Sequence, residues 1–147
     1  MAVTPGPQFE QLPMFMTARE IMRKYEPLGH DKEMDRAPLE SNKDLWSRKL
    51  DYAKSWGFPE ELKRDGVQEP VELGLHAGHH YWTHNEYGEI NKSPYVTKKP
   101  EIMSGHHRVI SMMYAAPDTY MPVTHEDVCC NGDSTGCTCD VCEANND

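Results

Sequence analysis

Apolar residues recur at helical spacing in four stretches of this chain and at strand spacing in three others. In MTAREIMRKY, Ile21, Met22 and Tyr25 follow a Thr17-x-x-Glu20 capping box, which predicts a helix over about 18–25. Trp46, Leu50 and Ala53 make one stripe of a longer helix over about 43–56, with Ser41 or Asn42 as its cap and Gly57 as its stop. Pro59 suits the first turn of a third helix, PEELKRDG, which Gly66 closes. EPVELGL alternates and reads as a strand over about 70–74. A short strand at 101–103, a Ser104-Gly105 turn and a helix over about 106–115 follow, then a last strand in TYMPVTH.

The segments between these are polar. Residues 1–13 carry three prolines and read as a flexible arm, and residues 26–40 as loop. Residues 75–100 form an aromatic, turn-rich insertion with room for an irregular hairpin, and 128–147 a Cys-rich tail without periodicity. The predicted architecture is one α+β domain over 14–127, a short mixed sheet packed with several helices. At 147 residues the chain is the size of a single domain.

The net charge of -9 argues against a generic basic surface for duplex DNA, which needs several Lys or Arg on phosphates. No apolar run reaches the roughly 18 residues of a membrane span, and the first residues do not read as a signal peptide. The expectation is a cytoplasmic protein without a membrane partner. All five cysteines lie from Cys129 to Cys142, unlike the spread of a disulfide-built fold.

EIMSGHHRVISMMYAA concentrates basic groups at one helix start. A helix N-terminus exposes unpaired amides and about half a positive charge. Gly105 permits close approach to the backbone, Arg108 offers a planar fork for phosphate oxygens, and His106 and His107 add donors that titrate near neutrality. An anion pocket and purely structural roles, with Arg108 paired to a carboxylate, stand side by side on these residues alone.

GVQEPVEL (Gly66 to Leu73) and IMSGHHRVISMM (Ile102 to Met113), followed by Tyr120-Met121-Pro122-Val123, resemble the ParB/sulfiredoxin family. The likeness is greatest to short ParB-like phage proteins often labelled nuclease domains. The resemblance implies a nucleotide or nucleic-acid ligand whose phosphates sit on Gly105 and the backbone of residues 106–108. Arg108 would bind them by its side chain, with Gln68 and Glu69 at the rim. It also implies a possible nuclease or phosphohydrolase, with His106 or His107 as proton carrier and a divalent metal accompanying a nucleoside triphosphate. His106 and His107 replace the acidic residue and arginine of partition proteins, and His106 replaces the reactive cysteine of sulfiredoxins. Neither of those activities is therefore expected.

His76 and His80 have a ligand spacing only if their segment is helical; otherwise they, His79 and His84 are loop histidines. Tyr81 and Trp82 read either as base-stacking groups or as anchors of the insertion. Cys137, Cys139 and Cys142 could hold zinc with an upstream cysteine, or belong to a reduced tail. The rival function is a non-enzymatic phage protein that uses the fold as a scaffold to occupy a host protein.

Overall fold

A computed structural model describes residues 12–29 and 40–126 of the chain. The expected zinc ligands Cys137, Cys139 and Cys142 fall outside these residues, as does nearly all of the N-terminal arm.

The capping box forms. The Thr17 hydroxyl accepts the Glu20 amide at 3.1 Å, and the Glu20 carboxylate accepts the Thr17 amide at 3.3 Å. It starts α1, Ala18–Lys24, and a cap of this kind contributes about 1 kcal/mol. Ser41 caps α2, Asn42–Ser55, by accepting the Asp44 amide at 3.0 Å. Gly57 then takes φ 75, a turn that glycine makes without a Cβ penalty. It leads into α3, Phe58–Asp65, with Pro59 in the first turn. The last helix, α4, is His106–Ala115.

Seven strands accompany these four helices among the described residues: β1 Phe15–Thr17, β2 Glu26–Pro27, β3 Val71–Gly74, β4 His80–His84, β5 Ile90–Val96, β6 Glu101–Ser104 and β7 Tyr120–Glu126. Five of them make a mixed sheet in the order β1-β7-β3-β6-β2, and β4 and β5 pair as a separate antiparallel hairpin. The fold is thus α+β, as expected. Val71, Leu73, Ile102, Met121 and Val123 point from the sheet into one core with Ile21, Leu62, Val109 and Met112. Helix α4 lies at the centre of the helical layer, in contact with α1, α2 and α3.

Three expectations are corrected. Residues 26–27, expected as loop, form β2, parallel to β6 with Glu26 opposite Glu101. Residues 15–17, assigned to no element apart from Thr17 as the cap of α1, form β1 at the sheet edge against β7. In α2 the buried residues are Leu45 and Ala53, while Trp46 and Leu50 are half-buried.

The insertion is held to the domain by two buried carboxylates. Glu26 is 7% exposed. It accepts from the Lys98 and Lys99 amides at 2.7 and 2.9 Å, from the Tyr81 and Tyr95 hydroxyls at 3.1 and 2.9 Å, and from the Asn42 side chain at 3.3 Å. A buried carboxylate is tolerated when its lone pairs are filled in this way. A second one, Glu101, accepts the Gly29 amide at 2.6 Å and bonds His79 Nδ1 at 2.9 Å. Among the described residues no helix is long and apolar enough to cross a membrane.

Candidate functional site

Strand β3 runs antiparallel to β6, with Glu72 opposite Ser104. The chain leading into β3 therefore lies beside the chain leaving β6, and the segments Gly66–Leu73 and Ile102–Met113 become neighbours. At the end of β6, Gly105 takes φ 100 and α4 begins. A Cβ here would lie 2.9 Å from Arg108 Nη2 and 3.3 Å from Val71 Cα. Glycine meets two needs at once, the positive φ and the space over the turn. That space, expected for an approaching ligand, is taken by the Arg108 guanidinium.

Arg108 folds back across the turn. Its Nη1 donates to the Glu69 carboxylate at 3.1 Å and its Nη2 to the Pro70 carbonyl at 3.2 Å. The arginine side chain is 19% exposed, whereas Glu69 is 81% exposed. Arg108 Nε is buried and has no hydrogen-bond partner among the described residues. Glu69 is thus brought to the site as expected, as a partner of Arg108. Gln68 is not: its side-chain amide donates to the Asp65 carbonyl at 3.0 Å and stays outside the cleft.

The two histidines have different surroundings. His106 is 8% exposed, and its Nε2 accepts the Leu28 amide at 2.9 Å. That bond uses the Nε2 lone pair and leaves the ring proton on Nδ1. Its ring also lies 5.8 Å from that of Trp46. His106 so ties the start of α4 to the chain leaving β2. His107 lies tilted against Tyr52 at 5.5 Å and meets Trp56 edge-on at 6.3 Å. Burial lowers its pKa from the ordinary imidazole value, and the charges of Lys49 and Arg48 lower it further. Arg48 itself is held by Glu40 at 2.9 and 3.1 Å.

A cleft of about 410 Å³ opens over the Ser104–Arg108 turn. One side is built by Lys49, Trp56 and Phe58 of the α2–α3 corner, the other by Leu28 and residues 103–108. Among the described residues no carboxylate belongs to its lining; Glu69, paired with Arg108 at 3.1 Å, lies just outside it. Lys49, His107 and Arg108 are among its lining residues, and the first-turn amides of α4 have no acceptor within the helix. The arrangement favours a compact anion, bound by a helix end and cationic side chains.

Sequence reasoning did not find Lys49, Trp56 and Phe58. Lys49, Tyr52 and Trp56 recur at i, i+3 and i+7, one face of α2, and that spacing was the available signal.

The remaining candidates sit elsewhere. Residues 76–79 are not helical and His80 opens a strand, so the helical ligand spacing of His76 and His80 is not formed. His79 is buried against Glu101, and His80 Nδ1 bonds the Ser93 carbonyl at 3.1 Å. Among the described residues no group of three or more His, Cys, Asp or Glu is placed to hold a metal ion. Tyr81 anchors the insertion, 6% exposed, with its hydroxyl on Glu26 and its ring 4.7 Å from Tyr95. Comparison of the chain with protein-family models, curated proteins and solved structures finds no match.

Proposed function

We propose that this protein binds a phosphate-bearing ligand, a nucleotide or nucleic acid, in the cleft over the Ser104–Arg108 turn. The observation that carries the reading is the composition of the cleft wall: Lys49, His107, Arg108 and a helix N-terminus, with no acid among the described lining residues, in a chain of net charge -9. Segregation of this kind raises the local anion concentration without a globally basic surface. The ParB/sulfiredoxin resemblance supports the same ligand class and the same turn, and we propose that fold relationship with it. On binding, Arg108 exchanges Glu69 for phosphate oxygens, and the exposed Glu69 carboxylate returns to water.

Cleavage of a phosphodiester or phosphoanhydride is the further activity this site supports. His107, whose pKa is lowered by burial and by Lys49 and Arg48, is suited to accept the proton of an attacking water, and Arg108 to stabilise developing charge. His106 is placed to orient the helix start.

Calorimetric titration with pyrophosphate and nucleoside triphosphates tests the binding step. Arg108→Ala is expected to weaken binding about 10- to 150-fold, the range for a lost charge-assisted hydrogen bond. Equal heats for the wild type and Arg108→Ala would leave the anion reading without support. The scaffold reading, which draws on the Arg108–Glu69 bond as a finished structural contact, would then stand.

A further inference from the structure

Trp56 and Tyr52 are large aromatics left in solvent beside the anion cleft, at 56% and 61% exposure. Trp56 is the C-cap of α2, and the turn at Gly57 presents its ring on the cleft wall. The ring is braced from three sides. Phe58 lies 5.0 Å away and tilted, Tyr52 lies 5.5 Å away, and His107 meets it at 75° and 6.3 Å. Bracing of this kind holds an indole in one orientation without covering it. Phe15, Tyr87, Tyr114 and Tyr120 are exposed to a similar or greater degree; what sets Trp56 apart is that it is exposed in the lining of the cleft, with three other rings around it.

We infer that Trp56, flanked by Tyr52, is a stacking platform for a nucleobase, and that the ligand of the cleft is a nucleoside phosphate. This rests on the anion reading given above and deepens it. The base lies on the indole and the phosphate lies at the Gly105–Arg108 turn. His107 bridges the two parts of the site, since its ring touches both aromatics while its backbone belongs to the first turn of α4. Three observations favour this occupant over an apolar peptide. The cleft lining combines the basic residues Lys49 and Arg108 with the exposed π face of Trp56, which matches the two kinds of group in a nucleotide. Its volume of about 410 Å³ falls within the ordinary range of small-molecule sites, roughly 300–1,000 Å³. Aromatic rings beside cationic groups are also the usual means of holding bases without reading their edges.

The test compares four probes on the full chain: ribose 5-phosphate, a nucleoside 5′-monophosphate, the corresponding nucleoside without phosphate, and pyrophosphate. Binding is followed by calorimetry and by the shift of the Trp56 indole N–H in NMR spectra. The monophosphate is expected to bind about 5- to 150-fold more tightly than ribose 5-phosphate, the increment of one stacked base. Trp56→Leu should bring the monophosphate and ribose 5-phosphate affinities together, while Trp56→Phe should keep most of the difference between them. Equal affinities for the monophosphate and ribose 5-phosphate, with an unmoved indole resonance, would overturn the platform and leave the phosphate site intact. If neither phosphate probe nor pyrophosphate binds but the nucleoside does, dependent on Trp56, the platform stands and the anion reading falls. If Trp56→Leu fails to fold, the wild-type affinity ratio and the indole shift still decide.

Discussion

Replacing Glu69 by glutamine should tighten phosphate binding. In the free protein Glu69 accepts from Arg108 Nη1 at 3.1 Å, and the same nitrogen must turn to the ligand on binding. Glu69 is therefore a competitor inside the molecule. Its side chain is 81% exposed, so the bond belongs with surface ion pairs, worth about 0.2–1 kcal/mol. That amount is subtracted from ligand affinity, and Glu69→Gln should restore it, a gain of roughly 1.5- to 5-fold in Kd. Repulsion between the carboxylate and a bound phosphate acts in the same direction. Pyrophosphate titration at low ionic strength measures the effect, with Glu89→Gln at the exposed tip of the hairpin controlling for the change in net charge. The gain should shrink in high salt as screening weakens the pair. Weaker binding by Glu69→Gln would mean that the carboxylate helps to hold the ligand or a cation with it. Unchanged binding would mean that Arg108 never leaves its partner. Either result refutes the exchange.

Two other outcomes follow from the geometry. The His107 pKa, lowered by burial and by Lys49 and Arg48, should rise when a phosphate occupies the cleft, so ligand affinity should increase as pH falls through that value. In the free protein the same shift gives stability that is complete above the unfolded imidazole value near 6.5 and is lost as pH falls through the folded value; histidine-resolved NMR titration with and without pyrophosphate checks both signs. Glu26→Ala should destabilise the domain by roughly 3–5 kcal/mol, because the Lys98 and Lys99 amides and two tyrosine hydroxyls lose a buried acceptor; urea unfolding measures this, and a loss below about 1 kcal/mol would show that water or a neighbouring group takes over the five bonds.

The helices were legible because their signals are local. Thr17 with Glu20, Ser41 before α2 and Pro59 with Gly66 around α3 act within four to eight residues, and each element formed where those residues place it. β1 and β2 were not legible, because two or three residues carry no periodicity and their pairing is decided by β7 and β6 far along the chain. Glu26 and His79 read as loop, and Glu101 as the polar first residue of a strand, yet all three are buried. Partners such as Gly29 for Glu101 and Lys98 for Glu26, each 72 residues away, make their burial tolerable. At the site, Gly105 and Arg108 stood out in sequence and Glu69 was placed near them, but the bond closing Arg108 onto Glu69 depends on the β3–β6 pairing. Trp56 was missed because a helix stripe identifies an exposed face without saying which neighbour that face meets.

The contrast between a cleft with no acid among its described lining residues and a strongly acidic chain bears on how large a ligand could profit from it. On the proposed function, a mononucleotide would keep its charges close to Lys49 and Arg108. An oligonucleotide carries further phosphates out over a molecule whose net charge repels them. Successive residues added to the ligand should then contribute progressively less, and lengthening should eventually weaken association at low salt. Added salt would ease that repulsion, so long strands should gain from ionic strength where a basic nucleic-acid binder loses. The cleft would act as a filter for short polyanions, selecting by what surrounds it as much as by what lines it.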